Sequence, residues 1–359
     1  MKLLTAKKRK IAILFNGGLG DILLFVPLLK ELKKHEFHIT CIYYGKFKND
    51  CLLDKSLFDE KKFISSKLGL LIFSLKKFKH FINFYINHLG KGKVISLAAV
   101  LCSSRITKTG DAKSKNSRLY RNIPVEPGLS DAEQNLRLLY TPANAKINSI
   151  QSFYFSHPVI DQGLIANYTD KTRPEYYVIQ VSAGNNTTPF KNWPIKNWIT
   201  LVTKLSDAFK NISFLIVGDE FEKSYITAFE NIKRFNCKVL IGKTSIPEVF
   251  NLIAYSKGYI GLDSGIMHMA VALQKKTVTI FGGSNEKLYG YSVLDKTNHR
   301  VITASISCRP CSAWKNANTS RVSNPLLCPD FACLTGINEA YVYKEIINHF
   351  NLGLDYTPG

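Results

Sequence analysis

The sequence predicts an α/β protein of two doubly wound parallel domains, residues 1–170 and 171–359. Three observations lead there. Short apolar runs alternate with longer amphipathic stretches, the pattern of strands joined by crossover helices. The 359 residues suffice for two domains at roughly 150 each. A composition 45% hydrophobic and 21% charged supplies two cores and excludes disorder over most of the chain.

Each element follows in order. Ile11–Phe15 is an apolar run stopped by Asn16-Gly17-Gly18, which reads as a buried strand. Asp21–Lys34 has helical apolar spacing through Ile22, Leu23, Phe25, Val26, Leu28, Leu29 and Leu32. His38–Tyr44 is the next strand, Ser66–Gly90 a helix and Lys93–Val100 a third strand. Within that helix, Phe78, Phe81, Ile82, Tyr85, Ile86 and Leu89 make one apolar face. That face either packs on the sheet or dips into a membrane surface. From Leu101 to Asp170 the pattern is loop-rich, with a helix at Asp131–Tyr140. Thr169–Pro174, polar and proline-bearing, is the linker.

The second domain alternates more cleanly. Strand Tyr176–Ser182 leads to helix Ile195–Phe209, and strand Ile212–Val217 to helix Glu220–Arg234. Strand Lys238–Ile241 leads to helix Pro247–Ser256, and strand Gly258–Leu262 to helix Gly265–Leu273. Strands Thr277–Phe281 and Val301–Thr303 and the terminal helix Glu339–Phe350 complete it. Open parallel sheets bind ligands at the carboxyl ends of their strands, so chemistry is expected in the loops that follow them. Two such domains predict a cleft.

Three loops carry candidate residues. Asn16–Asp21 contains Gly18 and Gly20, which let a ligand approach the backbone, and fits neither the dinucleotide nor the P-loop pattern. Asp21 is either a carboxylate favoured at a helix start or a general base. In Ala183–Pro194, the hydroxyls of Thr187 and Thr188 can bind phosphate oxygens and Lys191 can meet a diphosphate; alternatively the loop is solvated and Trp193 packs on the domain. Gly261–His268 enters a helix whose first N–H groups form an anion site. There Ser264 caps or donates, Asp263 suits sugar hydroxyls better than phosphate, and His268 is a ligand or a structural partner. Gly282–Asn285 is a further flexible loop at that edge. The carboxylates of Asp219, Glu220 and Glu222 either hold a ribose or favour a helix start.

Charge is unevenly spread. The net charge is +21; residues 1–170 hold 27 basic and 13 acidic residues, a net of +14. Lys61–Arg121 alone holds 14 basic residues and one acidic, Asp111. Such a field attracts an anionic partner. No zinc-finger, RNP or KH signature is present, so nucleic acid is not the expected one. The longest candidate span, Leu68–Leu75, stops at Lys76-Lys77, and Ile11–Phe15 is too short for a signal-peptide core. The expected location is the cytoplasm.

Of eight cysteines, Cys41, Cys51, Cys102 and Cys237 are scattered in apolar segments and read as reduced thiols. Cys308, Cys311, Cys328 and Cys333 are spaced C-x2-C-x16-C-x4-C, either a set of packed thiols or a structural zinc site with a wide second pair.

Several of these segments together resemble glycosyltransferase family nine, the lipopolysaccharide heptosyltransferases. They are Leu19-Gly20-Asp21 opening a helix that reaches Pro27, Lys191-x-Trp193-Pro194, and Asp263-Ser264-Gly265-x-x-His268 running into Ala270-x-Ala272-Leu273. Phe281-Gly282-Gly283 and Cys308-x-x-Cys311 with Cys333-Leu334 add to the likeness, which extends from Ile11 to Ile346. The Asn185–Thr188 stretch and the spacer holding Trp314 and Arg321 depart from the family pattern. The resemblance implies a GT-B fold, two Rossmann-like domains facing across a cleft. It also implies inverting transfer from a nucleotide-diphosphate sugar, typically ADP-heptose, to inner-core sugars on lipid A, with no metal. By the same resemblance Asp21 is the general base and Lys191 meets the donor diphosphate. Asp263, Ser264, Gly265 and His268 hold donor phosphates and sugar, and Glu222 or its neighbour Glu220 holds the ribose. A lipid-linked acceptor fits a protein peripheral at the inner membrane, with the basic first domain toward an anionic leaflet. A nucleotide-sugar epimerase on the same fold is the alternative.

Overall fold

The structure is a computed structural model and describes residues 10–15, 18–44, 54–74, 80–83, 105–109, 121–124, 126, 128–183, 191–219, 223–232, 234, 236–311 and 327–353. The chain divides into two compact units, Met1–Val159 and Ile160–Gly359.

In the first unit the strands are β1 (Lys10–Phe15), β2 (His38–Tyr44), β3 (Glu60–Ile64), β4 (His80–Asn83), β5 (Arg105–Thr109) and β6 (Arg121–Pro124). They form one sheet in the order β3-β2-β1-β4-β5-β6. Every neighbouring pair is parallel. Parallel neighbours need a crossover, and its helix covers the sheet face, so β1 is apolar along Ile11–Phe15 and buried throughout.

Where the expected single helix Asp21–Lys34 should run, there are two: α1 (Leu19–Leu23) and α2 (Val26–Lys34). Pro27 sits in the first turn of α2 and lacks the N–H that would continue the ladder from α1. Phe25 fills the joint and meets Phe15 edge-on at 5.3 Å between ring centres. The expected helix Ser66–Gly90 is corrected more deeply. Helix α3 spans only Lys67–Ser74, and His80–Asn83 is a strand paired with β1. Phe81 and Ile82 satisfy a helical face and a buried strand equally well in sequence; the open edge of β1 decides for the strand. The interfacial-helix reading fails over these four residues, and Phe78, Tyr85, Ile86 and Leu89 lie outside the described residues. So do the expected strand Lys93–Val100 and the thiols of Cys51 and Cys102.

Strands β3, β5 and β6 were not foreseen. β3 is an edge strand whose EKKFI sequence is largely exposed, so it lacks the apolar alternation that marks a strand. The helix at Asp131 is shorter than expected: α4 spans Asp131–Leu136 behind a capping box of Ser130 and Glu133.

The second unit repeats the plan closer to expectation. Its strands are β7 (Tyr176–Gln180), β8 (Ser213–Val217), β9 (Cys237–Val239), β10 (Gly258–Leu262), β11 (Thr277–Phe281) and β12 (His299–Thr303). Their order is β12-β11-β10-β7-β8-β9, all parallel. The helices are α5 (Ile195–Ala208), α6 (Lys223–Glu230), α7 (Ile246–Tyr255), α8 (Gly265–Ala272), α9 (Glu286–Tyr289), α10 (Ala332–Thr335) and α11 (Glu339–Phe350). β7, β8, β10 and β11 are buried at every position, as a sheet covered on both faces requires. Trp198, Leu201 and Leu205 of α5 and Val342 and Ile346 of α11 belong to that core. No helix among the described residues is long and apolar enough to cross a membrane.

One glycine in β10 is required by packing. Tyr259 and Gly261 lie on the same face of the strand, and the Tyr259 ring runs over Gly261 so that its hydroxyl reaches Gln180 Oε1 at 2.5 Å. A methyl at position 261 would run into that ring and hydroxyl. Gly261→Ala is therefore expected to lower unfolding stability by about 1–3 kcal/mol, read as a lower urea midpoint at unchanged slope.

Candidate active site

Strand order locates the sites. In each sheet the connections run one way from the first strand and then the other, so the switch point lies between β1 and β4, and again between β7 and β10. Ligands of open α/β sheets bind at that point, beyond the carboxyl ends. Gly18–Asp21 follows β1; Lys191 lies on the loop after β7, and Asp263–His268 follows β10.

In the first unit, Gly18 is the N-cap of α1, and its N–H donates to Asp21 Oδ2 at 2.8 Å. The carboxylate thus caps its own helix and is tied to Gly18 in the loop that follows β1. Gly20 lies in the first turn of α1.

In the second unit, Lys191 Nζ lies 2.8 Å from Asp263 Oδ2. This oxygen is buried with no hydrogen bond of good geometry, so the contact is mainly one of charge. Asp263 is 3% exposed. Burial pushes its carboxyl up, but the Lys191 ammonium, the Ser284 hydroxyl and His268 outweigh that and hold it below its ordinary 3.8. The Lys191 side chain keeps 24% of its surface in water and lies 6.0 Å from the Tyr289 ring centre.

The surrounding loops are held by specific bonds. Asn192 Oδ1 accepts the Ala183 N–H at 2.8 Å, closing the loop that carries Lys191. Trp193 is fully buried, donates from Nε1 to the Ile337 carbonyl at 3.0 Å, and meets Trp198 edge-on; it anchors the loop and packs on the domain. Ser264 caps α8, and its hydroxyl donates to Gln180 Oε1 at 2.5 Å, so its proton serves Gln180. Gly265 is the first residue of α8. His268 is buried with Nδ1 2.6 Å from the Tyr291 hydroxyl. Thr187, Thr188, Glu220 and Glu222 lie outside the described residues.

Three residues with structural roles here were missed in sequence. Gln180 joins Ser264 to Tyr259; its signal was a polar side chain ending the apolar run YYVIQ. Tyr291 braces His268 and gave no local signal. The Arg309 side chain is 6% exposed; it donates to the Gly282 carbonyl at 2.5 Å, the Ser284 carbonyl at 3.1 Å and Glu286 Oε2 at 3.0 Å, pinning the loop after β11.

Cys308, Cys311, Cys328 and Cys333 are partly buried. Burial, then the neighbouring Cys328, push the Cys333 thiol up to about 11 against the pull of Arg309, with Cys308 and Cys311 adding to the rise. Among the described residues no group of three or more His, Cys, Asp and Glu side chains is placed to hold a metal ion. Cys41 is buried, and burial raises the Cys237 thiol to about 12.

Two units, each a six-stranded parallel sheet in doubly wound order, make this an α/β protein of the GT-B class. Residues 118–320 match the profile of glycosyltransferase family 9 (heptosyltransferase). The chain is 24% identical over 314 residues to lipooligosaccharide heptosyltransferase 2 of Campylobacter jejuni, covering 84% of this chain and 89% of that one. Its fold is similar to that of the ADP-heptose LPS heptosyltransferase II of E. coli, with a TM-score of 0.73, 16% identity and 95% and 98% of the two chains covered. The E. coli heptosyltransferase WaaC, solved with ADP-2-deoxy-2-fluoro heptose, superposes with a TM-score of 0.60 at 16% identity over 94% of this chain and 99% of that one. The chain belongs to glycosyltransferase family 9, the heptosyltransferase family. It is a glycosyltransferase, which sets the epimerase alternative aside.

The ion pair makes a testable demand. Lys191→Met leaves the Asp263 carboxylate buried without its countercharge. The expected loss is about 3 kcal/mol at neutral pH, the low end for breaking a buried pair because Lys191 is partly solvated. In the wild type the depressed carboxyl pKa means that the pair's contribution is complete above the ordinary 3.8 and disappears as pH falls through the folded value. In the variant the ammonium no longer opposes burial and that pKa rises, so the stability gap should narrow on acidification, and adding Asp263→Asn should close most of it at neutral pH. Urea unfolding across pH measures both.

Proposed function

We propose that this enzyme transfers a heptose, with inversion, from ADP-heptose to the inner core of lipopolysaccharide. The observation that carries the reading is the Lys191–Asp263 pair beside the N-terminus of α8, at the switch point of a sheet in a family-9 chain. The donor class is supported by WaaC, solved with an ADP-heptose analogue, and the acceptor class by the names of the relatives.

In this reading the first N–H groups of α8, from Gly265 onward, and Lys191 oppose the charge that develops on the leaving diphosphate. Lys191 is partly solvated, so its ammonium can serve a diphosphate while remaining beside Asp263. Asp263 and His268 orient the donor, with His268 held by Tyr291. Thr187 and Thr188 add phosphate contacts, and Glu222 takes the ribose. Ser264 acts chiefly as the α8 cap and as an acceptor, because its proton goes to Gln180. Inversion is one displacement at the anomeric carbon. Asp21, in the Gly18–Gly20 loop, removes the acceptor hydroxyl's proton as the new bond forms, and the nucleoside diphosphate leaves. No step in this scheme calls for a metal.

A donor screen tests the reading: ADP- and UDP-sugars are incubated with truncated core acceptors, and a mass gain on the lipid is sought. ADP-heptose should give the gain. Asp21→Ala should lose about 10²–10⁴-fold in turnover with donor affinity nearly unchanged, whereas Lys191→Ala should weaken donor binding and turnover together. Near-normal turnover by Asp21→Ala would remove the base from the scheme.

We also propose that the enzyme works at the cytoplasmic face of the inner membrane, as a peripheral protein drawn by the +14 of its first 170 residues. Binding to anionic vesicles should fall steeply from low to high salt in a sedimentation assay. Binding that ignores salt would count against it.

A further inference from the structure

The first unit contains a cavity of about 470 Å³ that no residue of the Gly18–Asp21 loop lines. It is built on α2 from Pro27 to Lys34, the end of α4 with Tyr140 beyond it, and the stretch 144–152. The volume is within the range of small-molecule sites.

The walls are tied together. Lys30 Nζ donates to the Gln151 carbonyl at 2.9 Å, the Tyr140 hydroxyl donates to Glu31 Oε2 at 2.6 Å, and the Ile147 N–H donates to Glu133 Oε1 at 3.1 Å. Three lysines line the space: Lys30, Lys34 and Lys146. One carboxylate, Glu31, lines it with them, and both its oxygens are engaged, by Lys34 at 2.5 Å and by Tyr140. Asp54 acts on Lys30 only from a distance. Its own oxygens accept from Ser56, Ser156 and His157.

Among the described residues, neither Lys30 nor Lys146 has a carboxylate at ion-pairing distance. Lys30 is partly out of water, and among the described residues its ammonium meets the Gln151 carbonyl. Burial lowers its pKa; Asp54 opposes this and Lys34 adds to it. The cavity therefore holds a surplus of positive charge that an anion would neutralise. Between the lysines, Pro27, Leu136 and Ile147 give an apolar lining suited to the C–H face of a sugar ring.

We propose that this cavity is a second binding site, for a phosphorylated saccharide, with the phosphate on Lys30 and Lys146 and the ring against Pro27, Leu136 and Ile147. The same chemistry is offered by a free sugar phosphate and by the phosphorylated sugar headgroup of a lipid. None of the residues assigned to the transfer lines it.

Hydrogen–deuterium exchange on the full chain tests it, with glucose 6-phosphate, glucose, and vesicles containing lipid A as probes. Glucose 6-phosphate or lipid A should protect 26–34 and 140–152, and glucose should not. K30Q/K146Q should weaken the apparent Kd at least about tenfold, whereas Lys191→Gln should leave this protection in place. Protection by the free sugar phosphate identifies a soluble ligand, and protection by the vesicles alone identifies the headgroup. Absence of protection with both probes, equal protection by glucose, or protection that survives K30Q/K146Q would overturn the proposal.

Discussion

Parallel pairing is the constraint from which the rest of this chain follows. Two parallel strands cannot be joined by a tight turn, so each connection must cross a sheet face and return. That covers both faces with helices and drives the strands toward uninterrupted apolar sequence, as in IAILF of β1 and SFLIV of β8. It also sends every loop that leaves a strand to the same edge. Where the winding reverses, neighbouring loops diverge and leave room, and the polar residues of both units gather beside that gap in the strand order.

At this edge of the second unit the polar groups are tightly interlocked. Asp263 is buried but stays ionised because Lys191 lies beside it. Gln180 takes two hydroxyl protons, from Tyr259 and Ser264, and so links the ends of β7 and β10. Arg309 spends its donors on the backbone of the loop after β11 and on Glu286. A buried charge or amide without partners costs several kcal/mol, so each of these groups constrains the next. Such preorganisation suits a site that must meet charge developing on a leaving group without rearranging.

The two units share a topology and differ in chemistry. The first has a polar edge strand and most of the chain's positive charge, and the second has buried strands and the interlocked loops. In the first unit Lys30 and Lys146 line a cavity, where they can attract an anion. In the second, Lys191 is placed against a buried carboxylate. One fold thus presents cations in two ways: as a diffuse field that falls off within a Debye length, and as a fixed partner in low dielectric.

Much of the second unit was legible because its signals are local. A fully buried strand is a short apolar run, and β10, β11 and α11 fall where glycine, proline and apolar spacing put them. The placement of Asp21, Asp263 and Ser264 at helix starts was legible for the same reason. The first unit was read less well: EKKFI is too polar to look like a strand, and Phe81–Ile82 fits either period. The sequence alone determined the apolar runs, the breaks between them and the sign of the field. Only tertiary structure decided that His80–Asn83 joins β1, that Lys191 meets a carboxylate 72 positions away, and that Gln180, Tyr291 and Arg309 brace the site. Those outcomes depend on which distant group fills an open sheet edge or a buried hydrogen bond, and local periodicity carries no record of that choice.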